Sequence, residues 1–145
     1  MKILRIQGKN LASIAGEFDI DFTAAPLRSA GIFAICGPTG AGKSTILDAI
    51  CLALFNNMPR TTGIEGTKMP DVGQEFIQQG DRRQILRRGT AEAMAAVEFI
   101  AVDGKSYRSV WRVWRANNKI SGKLQPAELR VYPLGDPSPI TTGIS

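Results

Sequence analysis

The eight residues from Gly37 to Ser44, with the sequence GPTGAGKS, constrain the fold of this chain more than any other feature. They fit the spacing G-x-x-x-x-G-K-[ST] of a phosphate-binding loop. Glycines let backbone N–H groups curl around an anion, and a following helix directs the positive end of its dipole at the same point. The pattern predicts a nucleoside triphosphate site in which Lys43 neutralises the β and γ phosphates and the Ser44 hydroxyl binds Mg²⁺.

The segments on both sides of this loop support that prediction. Residues 31–36, GIFAIC, form a short apolar run typical of a strand buried on both faces. Residues 43–55 carry apolar side chains nearly all round, which predicts a helix at the centre of the fold. Residues 56–59 end this helix, because Pro59 cannot continue the hydrogen-bond ladder. The alternative, a glycine turn before an ordinary core helix, does not account for the full strand, loop and helix setting.

Length and composition narrow the class of protein. The 145 residues suffice for one domain with its own core, and the net charge of +5 favours a polyanionic partner. The sequence has no histidine, and its two cysteines, Cys36 and Cys51, lie in apolar segments, which predicts reduced thiols and no zinc site. No segment has the pattern of a signal peptide or a membrane span, so we expect a cytoplasmic protein without a membrane partner.

Most of the remaining chain is predicted to be β structure. Strands are predicted at 2–8 and 17–22, with Gly16 in the turn between them. Residues 60–80 lack a sustained periodicity and are predicted to form a long surface loop. An antiparallel meander then follows, with strands at 92–102, 105–115 and 124–132.

The meander contains a turn signal, Asp103-Gly104, that predicts a two-residue type I′ hairpin. Asp103 also ends an apolar run, as does the aspartate that holds magnesium in many P-loop enzymes, but the turn explains both residues at once. Asp48, in the predicted helix, either lies near the magnesium and its waters or pairs with a neighbouring basic group, and we favour the pair.

Basic and aromatic residues of the second half suggest a nucleic-acid surface, because cations contact phosphates and aromatic rings stack on bases. The alternation of Tyr107 and Trp111 favours the core for these two aromatic residues. The arginines remain open between DNA contacts and an ordinary solvated face. The candidate DNA contacts are Arg82, Arg83, Arg87, Arg88, Arg108, Arg112 and Arg115.

Several stretches beyond the loop resemble the start of the SbcC family of ATPase subunits, relatives of the structural-maintenance-of-chromosomes proteins. They are MKIL, KNLAS, GE and IDF within 1–22, LDAICLAL at 47–54, TAE and VEF within 90–99, and YR, W and R within 107–115. The likeness covers nearly the whole chain and includes the predicted meander as well as the loop.

The resemblance implies an α/β P-loop NTPase fold, the N-terminal lobe of a split ABC-type ATPase head. Its expected architecture is a mixed sheet with a central P-loop helix plus an antiparallel β meander. The whole chain would form one domain. Its parts are strands, loop and helix (1–58), a loop-rich insertion (59–90), the meander (91–135) and a tail (136–145).

The cofactors that the resemblance implies are ATP and Mg²⁺, with Mg²⁺ on Ser44. Asn10 and Ser13 would border the nucleotide from the N-terminal segment. The implied nucleotide-binding residues of the loop are Gly37, Pro38, Thr39, Gly40, Ala41, Gly42, Lys43, Ser44 and Thr45. The implied partners are the missing C-terminal lobe of the same protein, a second head in a homodimer, an SbcD-like metallonuclease and double-stranded DNA, in a bacterial cytoplasm and on the nucleoid.

The resemblance also implies that several working parts lie outside this chain. These are the coiled coil, the zinc hook, the signature motif, the Walker B carboxylates, the switch histidine and, beyond Ser145, the glutamine loop. The chain alone is therefore expected to bind nucleotide and hydrolyse little, whereas the whole protein would be an ATPase of DNA double-strand-end repair. Two alternatives stay open: a self-contained small P-loop kinase or GTPase with Asp103 on Mg²⁺, and a non-hydrolysing, nucleotide-responsive DNA-binding module.

Overall fold

The computed structural model describes residues 1–64 and 66–140 as a sheet with one α-helix packed against it. The elements are β1 (Lys2–Leu11), β2 (Ile14–Asp21), α1 (Lys43–Phe55), β3 (Lys68–Pro70), β4 (Phe76–Gln78), β5 (Glu92–Ile100), β6 (Ser106–Trp114) and β7 (Glu128–Pro133). Five strands form the main sheet in the order β2-β1-β5-β6-β7, and β3 and β4 form a separate hairpin. Within the described ranges, no helix is long and apolar enough to cross a bilayer.

The strand pairings of the main sheet are all antiparallel. The parallel pairing that a mixed sheet requires is not formed between the strands of the described residues. The turn between β1 and β2 consists of Ala12 and Ser13, and Gly16 lies inside β2. Our placement of Gly16 in that turn was wrong, because Asn10 and Ala12 themselves adopt positive φ values of 52° and 45°.

The core lies between α1 and one face of the sheet. On the predicted buried face of β5, Ala93, Ala95 and Val97 are buried and Phe99 is partly buried, but Ala96 on the opposite face is buried as well. The prediction that Trp111 belongs to the core is confirmed, since it is fully buried. Its indole N–H donates to Asn56 Oδ1 over 3.0 Å, which ties β6 to the end of the helix.

The apolar segment 31–36 is not a strand, contrary to its prediction. Ile32 is 93% exposed and Phe33 49% exposed. The helix is likewise not central, because it leaves Leu47 58% and Phe55 68% exposed. A strand buried on both faces needs strand neighbours and a second covering layer, and the described residues supply neither here.

The predicted loop at 60–80 contains regular structure. A 3₁₀ turn (Pro59–Thr61) and the β3–β4 hairpin lie in this stretch, and a second 3₁₀ turn (Arg82–Ile85) follows it. Ile77 of the hairpin is buried. The expectation of a long irregular loop was therefore wrong. The Gly, Pro and Gln residues of this stretch hide the sequence periodicity of short elements that tertiary contacts stabilise.

The β5–β6 connection also differs from its prediction. The N–H of Gly104 donates to the Ala101 carbonyl over 3.1 Å, and the N–H of Ala101 to the Lys105 carbonyl over 2.9 Å. Gly104 has a φ of 78°, whereas Asp103 is not among the residues with positive φ. The connection is therefore a three-residue hairpin loop, in which a type I turn is followed by a glycine in the left-handed region, and not a two-residue type I′ loop.

The last strand and the tail depart from the predicted boundaries. β7 begins at Glu128, and Leu124 instead forms an isolated bridge with Arg115. After a turn at 134–138 the N–H of Ile140 donates to the Val131 carbonyl over 2.8 Å, so the chain returns alongside β7. The rest of the predicted tail, 141–145, lies outside the described residues.

Candidate nucleotide site

The predicted phosphate loop is an exposed loop that leads directly into α1. Residues 37–41 are exposed, and the helix begins at Lys43 as predicted. Gly42 precedes it with a φ of 92°, a conformation that L side chains rarely adopt. A glycine is thus required where the loop turns into the helix.

Lys43 folds back across the loop. Its Nζ donates to the carbonyl oxygen of Gly37 over 2.6 Å and to that of Pro38 over 2.8 Å. The ammonium group is therefore held beside the backbone of the loop. A bound anion in the loop would lie within reach of this positive charge.

The start of α1 offers free hydrogen-bond donors. Gly42 provides no side-chain cap, and the backbone N–H groups of Lys43, Ser44 and Thr45 have no acceptor within the described residues. Uncapped N–H groups at a helix start attract anions. The Ser44 side chain is exposed and free to meet a cation, whereas Thr45 is only 4% exposed and can contribute through its backbone. This donor set fits a phosphate chain with Mg²⁺.

The β1–β2 turn packs against the loop. A Cβ atom on Gly42 would lie 2.5 Å from Ile14 Cγ1 and 3.4 Å from Ser13 Oγ. Ser13 therefore lies near the loop. The Asn10 amide has structural partners instead, since it donates to the Glu92 carbonyl over 3.2 Å and accepts from the Gly16 N–H over 3.1 Å.

Asp48 is buried on α1 and forms an ion pair with Arg60. The contact lacks hydrogen-bond geometry, so Asp48 Oδ2 has no hydrogen-bond donor in the part of the chain described. Burial raises the pKa of Asp48, and the Arg60 charge opposes this rise. The favoured interpretation, a pair with a neighbouring basic group, is confirmed.

Asp103 is used by its own turn. Its Oδ1 accepts the Lys105 N–H over 2.9 Å, and its Oδ2 accepts the Tyr107 hydroxyl over 2.7 Å. These two hydrogen bonds lower the pKa of Asp103, and the bond from Tyr107 has the larger effect. Residues 1–64 and 66–140 contain no cluster of three His, Cys, Asp or Glu side chains that could hold a metal ion. The turn accounts for Asp103 without a metal.

Two of the candidate DNA-contact arginines are committed to internal ion pairs. Arg115 is only 7% exposed, and its guanidinium contacts both carboxylate oxygens of Asp71 at 2.7 and 3.0 Å. Arg83 contacts Asp81 over 2.6 Å. Of the two alternatives left open for the arginines, neither holds for Arg115, because burial keeps its charge away from any phosphate and from solvent. Arg83 is similarly engaged, although its side chain is partly exposed.

The other five arginines differ in their access to solvent. Arg108 donates to Gln7 over 2.8 Å and pairs with Glu98. The Arg82 Nε atom is enclosed, and Arg87 donates to the Ala12 carbonyl over 2.9 Å. Arg88 and Arg112 are exposed, the latter 3.9 Å from Glu92. The arginines of the predicted basic cluster therefore do not share one surface: some are bonded within the fold and others are exposed to solvent.

Two features of the site lie outside the sequence prediction. Ile14 contacts the loop at Gly42, and residues 85–87 bond to the β1–β2 turn. The only sequence signal for Arg87 was its charge, which left open a DNA contact or a solvated face. Contacts between residues so far apart in the chain have no local pattern.

Comparison with known proteins supports the ATPase interpretation. The chain is 53% identical over 129 residues to the SbcC subunit of the nuclease SbcCD from Pseudomonas aeruginosa, a match that covers 88% of this chain and 11% of that protein. The SbcC subunit from Rhodobacter capsulatus is 53% identical over 126 residues, 86% of this chain and 10% of that protein. A probable DNA double-strand break repair Rad50 ATPase of Aquifex aeolicus is 33% identical over 108 residues, 74% of this chain and 9% of that protein.

The chain therefore spans about a tenth of the length of the relatives it matches. These matches confirm the predicted resemblance to the N-terminal ATPase lobe of SbcC. The family model described as AAA domain matches residues 5–132, so the chain belongs to the AAA domain family.

Proposed function

We propose that this chain is the ATP-binding N-terminal lobe of an SbcC-like ATPase with an ABC-type head. The observation that carries the proposal is the Lys43 ammonium bonded to the loop carbonyl groups in a loop that leads into the uncapped first turn of α1. In this assignment residues 37–45 bind the phosphates, Ser44 binds Mg²⁺, and Ser13 borders the nucleotide. When bound, Mg²⁺ neutralises phosphate charge.

The nucleotide assignment is tested by the affinity of the chain for Mg-ATP, measured by calorimetry. We expect Lys43→Ala to weaken binding by about 10- to 100-fold, the range for loss of a hydrogen bond to a charged group. Lys119→Ala removes an equal charge from an exposed residue outside the loop and α1, and it is expected to leave the affinity unchanged. Equal affinities of the wild-type chain and Lys43→Ala would contradict the proposal.

The whole protein is proposed to act in DNA double-strand-end processing with a partner nuclease. The relatives that support this assignment are named as nuclease subunits and as a Rad50 ATPase. Hydrolysis requires a water-positioning group and stabilisation of the transition-state charge, and we infer that the C-terminal lobe and a second head supply them. A cytoplasmic location, where the DNA lies, follows from this role.

The exposed apolar surface beside the loop is proposed to receive that C-terminal lobe. A groove of about 810 Å³ runs between the start of β1 and the exposed side of α1. Its apolar lining includes Ile3, Leu4, Phe33, Ile35, Leu47 and Ile50. In this proposal residues 31–36 become a strand when the second lobe provides neighbours and cover.

The proposed division of labour is tested by ATP turnover. We expect the chain alone to hydrolyse ATP negligibly and a mixture with the separately expressed C-terminal lobe to regain turnover. Rapid turnover by the chain alone would instead favour the small kinase or GTPase alternative.

DNA contact by this lobe is proposed for the exposed Arg88 and Arg112. Binding through phosphates should weaken by orders of magnitude between low and moderate salt. We expect the double variant Arg88→Ala with Arg112→Ala to bind DNA less tightly and with a shallower salt dependence. An unchanged salt dependence would remove both residues from the DNA surface.

A further inference from the structure

The β1–β2 turn has a backbone conformation that its own sequence does not favour. Ala12 in the turn has a φ of 45° and Asn10, near the end of β1, a φ of 52°, both in the left-handed region. Alanine has no polar side chain to stabilise this region, and such residues persist only where the surroundings impose the conformation. Contacts from elsewhere in the chain must therefore hold Ala12.

Residues 85–87 provide those contacts. The N–H of Ala12 donates to the Ile85 carbonyl over 2.7 Å, and the N–H of Arg87 donates to the Asn10 carbonyl over 3.0 Å. The Arg87 guanidinium donates to the Ala12 carbonyl over 2.9 Å. Both backbone polar groups of Ala12 are thus bonded to this segment, and Leu11 and Leu86 form a bridge between the two bonds.

The same turn contacts the phosphate loop at Gly42. Ile14 and Ser13 lie so close to Gly42 that any side chain there would overlap Ile14. Gly42 directly precedes Lys43, the first residue of α1, and has a φ of 92°. A displacement of the turn would therefore move the N–H groups that face a bound phosphate.

We propose that Arg87 is a positioning residue for nucleotide binding, which holds the Ala12–Ser13 turn against Gly42 of the phosphate loop. The inference rests on the proposed function, because it assigns the effect of Arg87 to the ATP affinity of that loop. It gives Arg87 a role other than the DNA contact or solvated face that the sequence left open for it. It also connects the insertion, whose end carries Arg87, to the nucleotide site.

The first test compares Mg-ATP affinities of the wild-type chain, Arg87→Met, Arg87→Lys and the control Lys119→Met. We expect Arg87→Met to weaken binding by about 3- to 30-fold, less than direct loss of a charge-assisted hydrogen bond to the nucleotide, because Arg87 acts through the turn. Arg87→Lys retains a cationic donor and should restore most of the affinity, whereas Lys119→Met removes only an exposed charge. Unchanged ATP affinity in Arg87→Met, with or without weaker DNA binding, would overturn the proposal.

The second test measures the turn itself without nucleotide. In ¹⁵N-labelled chain we expect Arg87→Met to shift the amide resonance of Gly42 and to speed hydrogen exchange of the Ala12 amide, while Lys119→Met changes neither. An unmoved Gly42 resonance in folded Arg87→Met would overturn the positioning role even if ATP binds. Failure of the wild-type chain to bind ATP would overturn the proposed function and, with it, the effect of Arg87 on ATP affinity. A shifted Gly42 resonance in Arg87→Met would then still show that Arg87 positions the turn against Gly42.

Discussion

At the scale of single residues, burial decides what each arginine does. Arg115 is nearly enclosed and meets both oxygens of Asp71, whereas Arg130 pairs with Glu128 at the surface with half of its side chain in solvent. Removing one member of a buried pair leaves an uncompensated charge, and removing one member of a surface pair leaves a hydrated one. The two arginines should therefore differ in their contribution to stability.

We expect Arg115→Met to lower the free energy of unfolding by about 3–5 kcal/mol, the cost of breaking a buried ion pair. Arg130→Met is the matched control and should change stability little. Urea unfolding followed by tryptophan fluorescence measures both variants. Similar stabilities of the two variants would mean that Asp71 finds another partner or becomes hydrated.

The same pair predicts a pH dependence. The hydrogen bond from Arg115 is the main cause that lowers the pKa of Asp71. Because the folded pKa lies below the unfolded value of about 3.9, the pair stabilises the fold above that value and this contribution is lost as the pH falls through the folded pKa. We expect the stability difference between the wild-type chain and Arg115→Met to shrink below about pH 4, as measured by urea unfolding at several pH values. A constant difference down to pH 2 would contradict this linkage.

At the scale of elements, turns fix the geometry that the strands alone leave open. The β5–β6 hairpin depends on Gly104 in the left-handed region and on the Asp103 carboxylate, which accepts hydrogen bonds from Lys105 and Tyr107. Asp-Gly correctly indicated a tight hairpin in the sequence. The number of loop residues was decided by the register of β5 against β6.

We expect Gly104→Ala to destabilise the chain by roughly 1–2 kcal/mol, the cost of a left-handed conformation for an ordinary residue. Gly104→Asn should cost less, because asparagine tolerates this region. Thermal unfolding measures the two variants.

Asp103→Asn should leave Mg-ATP affinity unchanged, and a loss of magnesium-dependent binding in a folded Asp103→Asn chain would revive the kinase or GTPase alternative.

At the scale of the whole molecule, the sheet and α1 form two layers, and the outer side of the helix is uncovered. Leu47, Phe55 and the segment 31–36 are exposed together with the apolar groove beside β1. Large exposed apolar patches mark interaction surfaces. This arrangement supports the proposed contact with a second lobe.

We expect Leu47→Gln to leave the stability of the chain alone nearly unchanged, because this side chain is mostly in solvent. The same variant should weaken association with the C-terminal lobe and reduce the ATPase activity of the mixture, as measured by calorimetry and phosphate release. Lys119→Gln, on an exposed turn, is the control. Full association of Leu47→Gln would exclude this side of α1 from the interface.

The sequence by itself predicted the local features of this protein. The glycine spacing predicted the loop, apolar periodicity predicted α1 to its first and last residue, and alternation predicted the buried face of β5. These features follow from contacts between near neighbours in the chain, which leave a pattern of residue types. The matches to SbcC-type proteins agree with the resemblance that particular residue stretches along the chain carried.

Only the tertiary structure decided which partners those local features meet. It placed 31–36 in solvent, buried Arg115 against Asp71 and brought Arg87 to the turn beside Gly42. A strand forms only where neighbours complete its hydrogen bonds, and a charge acquires its role from the dielectric surroundings and the counter-charge it meets. Both depend on residues distant in the chain, so a glycine motif indicates a candidate phosphate loop but not the long-range contacts around it.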